Sequence, residues 1–182
     1  MPSEIYVDKI MDQTGANSLF EQSGSNWIAG TGVPSGMIVT SKIVEYSTRT
    51  AVGGSSATDA EFCNFGNYNK LFANTDLFIQ VLLFTFASTD QWTGNLGIKY
   101  GGGSTYWTQS YTFNDIDKGQ QLTMYAKING HTTTGSQAIS LRYGTADSGT
   151  TRPCQIINPT SSDDARLNNS NTSVAIVHEV QT

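Results

Sequence analysis

The sequence is poor in charge, in cysteine and in long apolar runs, and each shortage excludes something. Charged residues make up 14% of the 182 positions, against about 25% in ordinary soluble domains. Lys and Arg together number 10 and form no block, and the net charge is −5 with a sequence pI near 4.8. Phosphate backbones and anionic membranes are gripped by cationic patches, so neither nucleic acid nor a membrane is expected as a partner. The most apolar stretch, Leu77 to Ala87, is too short to cross a bilayer as a helix. The start, Met1-Pro2-Ser3-Glu4-Ile5-Tyr6-Val7-Asp8, has neither the basic opening nor the apolar run of a signal peptide. No membrane insertion is expected, and synthesis in a cytoplasm is. In that compartment the two cysteines, Cys63 and Cys154, are expected to be reduced.

What is present favours strands. Polarity comes from Ser, Thr, Asn, Gln and Gly; Thr and Tyr suit pleated surfaces, while Asn and Gly suit turns. Helix formers are scarce and never run together. Residues 1–32 differ from the rest. Short apolar groups there (Ile5, Tyr6 and Val7; Ile10 and Met11; Leu19 and Phe20; Trp27 and Ile28) are separated by turn clusters. Strands that short cannot build a core alone. They need a partner surface or sister chains, so residues 1–32 are expected to be an extended arm, with Ile5, Val7, Ile10, Leu19, Phe20, Trp27 and Ile28 as its contact residues. Gly30 to Gly36, with Pro34, reads as a hinge, and residues 33–182 as one domain.

That domain reads as strand after strand. Met37–Thr48 is rich in β-branched residues, and Ala51–Ala60 reads as a loop. Asp76–Ser88 is apolar on both faces, with Leu77, Ile79, Val81 and Leu83 opposite Phe78, Leu82, Phe84 and Phe86. Such a strand needs cover on both sides. Asn95–Tyr100 and Ser104–Phe113 flank three glycines as a hairpin; Gln121–Asn129, Ala138–Tyr143 and Thr172–Val180 follow. About eight strands at this spacing imply an antiparallel β-sandwich of jelly-roll type.

Chemistry is sparse. His131 follows a turn, and His178 adjoins Glu179 in a strand, where neighbours point to opposite faces and form no dyad. No ligand spacing marks a metal site, no Gly-x-Ser-x-Gly elbow is present, and the glycines at 30, 32 and 36 lead into a strand rather than a phosphate-binding helix. Asp115 and Asp117 read as a polar turn, and Asp163-Asp164 as a weak candidate for a cation. No catalytic residue and no cofactor is expected. Trp92, Tyr106, Trp107 and Tyr111 lie in and around one hairpin and are the candidate ligand contacts, through stacking on a sugar ring or a protein partner.

The order of motifs carries a resemblance. Val7-Asp8-Lys9-Ile10, Asp12-Gln13-Thr14-Gly15, the hinge Pro34-Ser35-Gly36, the strand Met37-Ile38-Val39-Thr40, the apolar strand Leu77–Phe86 and the end Ser173–Val177 with Glu179-Val180 follow one another across nearly the whole chain. In this order the sequence resembles tail-fibre and virion-surface proteins of marine and cyanobacterial phages. The resemblance implies a trimer held on a particle among other capsid or tail proteins. The expected role is a structural protein on the virion surface, with a receptor-binding tip recognising host-surface glycan as the alternative. A hydrolase of envelope sugars would need two carboxylates across a cleft, and no motif points to them. The arm and the doubly apolar strand both call for cover by other chains, which also favours a homotrimer.

Overall fold

The computed structural model describes residues 9–11, 15, 18–23, 26–30, 32–52, 59–73, 75–87, 92–113, 119–145, 155–160, 162–163 and 171–182. The described residues form strands β1 (Lys9–Met11), β2 (Ser18–Ser23), β3 (Asn26–Ala29), β4 (Ile38–Tyr46), β5 (Thr50–Val52), β6 (Ala60–Lys70), β7 (Thr75–Ala87), β8 (Trp92–Tyr100), β9 (Tyr106–Phe113), β10 (Gly119–Ile128), β11 (Gly135–Thr145), β12 (Gln155–Ile157) and β13 (Ser173–Gln181). Every pairing among them is antiparallel.

Eight long strands make two sheets. One runs β4-β13-β7-β10 and the other β6-β11-β8-β9. Counted along the chain, the long strands fall in the order first, eighth, third, sixth and second, seventh, fourth, fifth. That interleaving is the double Greek key of a jelly roll, so the expected sandwich is present. The short β12 and β5 prolong the lines of β13 and β4: β12 joins β7 at Ile157↔Thr85, just beyond Val174↔Leu82 where β13 ends.

The core lies between the sheets and follows the period of two. Leu77, Ile79, Val81 and Leu83 of β7 are fully buried, as are Leu96 and Ile98 of β8 and Ile139 and Leu141 of β11. On β10, Leu122, Met124, Ala126 and Ile128 point in and their neighbours point out. Each such aliphatic side chain contributes about 1.5–3 kcal/mol by leaving water. A charge at Val81, buried on all sides, would be the single change most damaging to this layer.

Two readings of the sequence need correction here. The stretch taken as a loop to Ala60 contains β5 at its start, and the strand β6 was not anticipated. The reason is geometric. Two register shifts against β11 make Phe62 and Phe65 the extra residues of β-bulges, and Gly66 takes φ +99° beside the second. Each bulge resets the in/out alternation. Phe62, Cys63, Phe65, Tyr68 and Lys70 are all buried, a spacing that no uninterrupted period of two can show. In β13 the apolar series Val174, Ile176 and Val180 faces outward and is half-buried, while Ser173, Ala175, Val177, Glu179 and Gln181 face the interior.

Before the sandwich, β1, β2 and β3 form a separate three-stranded meander that shares no ladder with either sheet among the described residues. The hinge that follows is fastened rather than loose. Gly36 N–H donates to Gln181 O (2.7 Å) and Gln181 N–H to Met37 O (2.9 Å), with Gly36 at φ +84° and Val33 buried.

Candidate assembly surface

The outward face of the β4-β13-β7-β10 sheet carries side chains that a solvated sheet would replace by polar ones. Register places Ile43, Ile176, Gln80 and Tyr125 in one row, Ser41, His178, Phe78 and Lys127 in the next, and Glu45, Val174, Leu82 and Thr123 on the other side. Tyr125 is 65% exposed, Ile43 58% and Phe78 37%. Phe78 and Tyr125 stack diagonally across the ladder, ring centres 6.0 Å apart. Ile38 is exposed at the lower edge. Among the described residues an ion pair at this face joins Lys127 to Asp76 at 3.0 Å. The expectation that β7 needs cover on both sides is therefore met on one side by the core, while the other side stands partly open. Large apolar side chains exposed together on one sheet face make that face a candidate interaction surface.

The same sheet is tied to its partner by a buried carboxylate. Glu179 is fully buried and accepts hydrogen bonds from Tyr68 Oη (2.9 Å), Leu71 N (2.7 Å), Phe72 N (3.2 Å) and Thr75 Oγ1 (3.1 Å). Lys70, also fully buried, donates to Phe72 O. Burial pulls the Lys70 ammonium below its ordinary pKa against the opposing pull of Glu179 and Asp76. Burial, then the Glu179 charge, raises the Tyr68 hydroxyl. Nothing in this cluster opens to solvent as a reacting site would. It is a structural clamp joining the β6–β7 turn to β13, and the sequence offered only an unremarkable Glu beside a His to find it by.

The residues singled out from the sequence fall as follows. Ile10 is exposed, and Leu19 and Phe20 are half-buried within the meander. Trp27 and Ile28 pair with Gln22 and Glu21, while Ile5 and Val7 lie outside the described residues. The β8–β9 hairpin exists, and a bulge separates its ends, so that Leu96 pairs with Gln109 but Gly97 with Trp107. Tyr106 packs against the core. Trp107 is 45% exposed and lies over Gly97, where an added Cβ would come within 3.0 Å of its ring. Trp92 pairs with Phe113 and Tyr111 with Gly94. The hairpin thus brings the four residues onto two strands but presents Tyr106 and Trp107 in opposite senses.

Of the weak cation candidate Asp163-Asp164, only Asp163 is described. Asp163 is held by the Arg49 guanidinium, with Arg49 Nε at 2.9 Å, and accepts from Thr160 N at 2.8 Å; its carboxylate is already neutralised. Asp164, Asp115 and Asp117 lie outside the described residues. His131, read as solvated, packs edge-on against Tyr100 at 5.0 Å. His178 and Glu179 point to opposite faces as expected. Cys63 is unpaired and buried, and burial pushes its thiol up to about 12, which removes the thiolate a nucleophile needs; Cys154 lies outside the described residues. Among the described residues no three His, Cys, Asp or Glu side chains gather as metal ligands, and no helix is long and apolar enough to cross a membrane.

No protein-family model and no curated protein matches the chain. Solved structures of infectious bursal disease virus are similar to it. The Gx strain structure covers 88% of this chain and 37% of its own at 12% identity and TM-score 0.41. The T13 particle covers 80% and 36% at 8% identity and TM-score 0.35, and the Gt strain 88% and 44% at 12% identity and TM-score 0.31. The chain thus spans less than half the length of these chains, and the fold assignment rests on its own strand order. The resemblance to phage tail-fibre proteins is corrected by these comparisons, because the structures just named are of a non-tailed icosahedral virus.

Proposed function

We propose that this protein is a non-enzymatic structural component of a virus particle, exposed on the particle surface and held by contacts with sister copies and other particle proteins. The observation that carries the reading is the apolar outer face of the β4-β13-β7-β10 sheet, with Ile43, Phe78 and Tyr125 exposed. Jelly rolls recur in viral capsids, lectins and cupins, and the fold alone does not choose among them. An open apolar sheet face fits assembly. A homotrimer accounts for both this face and the apolar residues of the first segment. In this reading residues 1–32 are the attachment segment, with Ile5, Val7, Ile10, Leu19, Phe20, Trp27 and Ile28 as contacts, and residues 33–182 the projecting domain.

Multi-angle light scattering on the full chain is expected to give the trimer mass, and deletion of residues 1–30 to leave a folded sandwich that no longer attaches to particles. A monodisperse monomer, together with normal incorporation of the truncated chain, would refute the reading. A second reading, recognition of host-surface glycan, is supported by the exposed Trp107 at the β8–β9 hairpin. Adsorption of the protein to host cells, with and without competing saccharide, tests it.

A further inference from the structure

We infer that the protein binds a neutral saccharide, and that it does so in a cleft at the upper end of the β4-β13-β7-β10 sheet rather than on the β8–β9 hairpin. The inference rests on the glycan reading for its class of ligand and moves the site from Trp107 to this cleft. The cleft has a volume of about 290 Å³, at the lower end of the roughly 300–1,000 Å³ usual for small-ligand sites, which suits one or two sugar rings rather than a long chain.

Its walls come from three places. Phe84 belongs to β7, Gln120 and Gln121 to the start of β10, and Pro159 and Asn171 to the two ends of the excursion between β12 and β13. None of the described lining residues is ionisable, so among them neither a phosphate, a carboxylate nor a cation finds a counter-charge. Carboxamides both donate and accept, which matches hydroxyl groups. The half-buried Phe84 ring and Pro159 supply the apolar surface on which the C–H face of a sugar packs. Thr85 also lines the cleft, and its buried hydroxyl has no hydrogen-bond partner among the described residues.

The cleft is preorganised. β7 loses its β13 partner beyond Leu82, and side chains complete the ladder there. Phe84 N–H donates to Ser173 Oγ (3.0 Å), Asn158 N–H to Phe84 O (2.9 Å), and Ser173 Oγ to Asn158 Oδ1 (2.7 Å). Asn158 takes φ +51° and also donates to Tyr46 O at 2.6 Å. Asn171 Nδ2 donates to Pro159 O (2.7 Å), closing the root of the excursion, and Arg49 with Asp163 fastens it from outside. Phe84, Asn158, Pro159 and Asn171, so tied, lose little entropy when a ligand arrives.

The test is saturation-transfer NMR on the full chain with glucose, galactose, mannose and N-acetylglucosamine, and with N-acetylneuraminate as the charged probe. At least one neutral sugar is expected to receive saturation and N-acetylneuraminate none. Gln121→Ala, an exposed position that leaves the fold untouched, and Phe84→Ala should each weaken binding about tenfold, while Trp107→Ala leaves it unchanged. Binding lost in Trp107→Ala but kept in Gln121→Ala overturns the cleft and leaves the glycan reading standing. No saturation of any sugar overturns both. Equal saturation of N-acetylneuraminate overturns the neutral class.

Discussion

The two sheets of the sandwich share a core but turn opposite surfaces outward. On the β6-β11-β8-β9 sheet, Arg142 lies 3.1 Å from Asp59 and 3.4 Å from Glu61, Lys99 approaches Asp59 at 3.8 Å, and Thr105 Oγ1 donates to Asp59 at 2.8 Å. On the β4-β13-β7-β10 sheet the corresponding area carries Ile43, Ile176, Leu82, Phe78 and Tyr125. Since only 14% of the chain is charged, where those charges sit is informative. Among the described residues Arg142, Lys99, Asp59 and Glu61 cluster on the first face, whereas on the second Glu45 and the Lys127–Asp76 pair flank exposed apolar side chains. The second face is the one proposed above to meet a partner.

The largest effect should come from cutting the tie that both sheets share. Glu179→Ala strands four donors and the buried Lys70 without their carboxylate, and is expected to cost roughly 3–5 kcal/mol. Urea denaturation reads this as a lower midpoint at unchanged slope. A loss under about 1 kcal/mol would mean that the clamp is not what joins the sheets.

Next comes the apolar face itself. Ile43→Glu combined with Tyr125→Glu should weaken self-association by about 2 kcal/mol or more, some thirtyfold in Kd. Because both positions are exposed, stability should move by no more than about 0.5 kcal/mol. Sedimentation equilibrium separates the two quantities, and unchanged association would abolish the contrast between the faces.

Acid sharpens the comparison further. The hydrogen bond from Arg49, outweighing burial and helped by Thr160, holds Asp163 below the usual carboxylate range. At Asp59 burial pushes upward, but Thr105, Arg142 and Lys99 together win and the net displacement is downward. A carboxyl depressed in the folded state stabilises at pH values above its unfolded pKa of about 3.9. That contribution is lost as pH falls through the folded value. Tm measured from pH 6 downward should therefore drop less steeply in Arg49→Ala and in Arg142→Ala than in the parent.

The smallest effect belongs to the charged face at neutral pH. Arg142→Ala should lower stability by at most about 1 kcal/mol and leave association untouched, the reverse of the Ile43 and Tyr125 pair. A change in oligomer mass on Arg142→Ala would place the interface on the wrong sheet.

Composition and period two were enough to read the sandwich, because a strand such as β10 alternates without interruption and the bend after it is chemically marked by Gly130 at φ +63°. The doubly apolar β7 also announced that one of its faces would need a second cover. β6 was illegible, since two bulges shift its parity and its Asn and Gly residues look like turn residues. The cleft was equally hidden, because Phe84, Gln121 and Asn171 meet only when β7, β10 and the excursion after β12 come together.

The chain's residue order by itself marked the long strands other than β6, because side-chain alternation is a local property of the backbone. Which side of β13 faces inward was decided by tertiary structure alone. Its more apolar side points out and Glu179 points in, since four donors from β6, β7 and the turn between them converge on that carboxylate. No local pattern encodes a site assembled from residues more than a hundred positions apart.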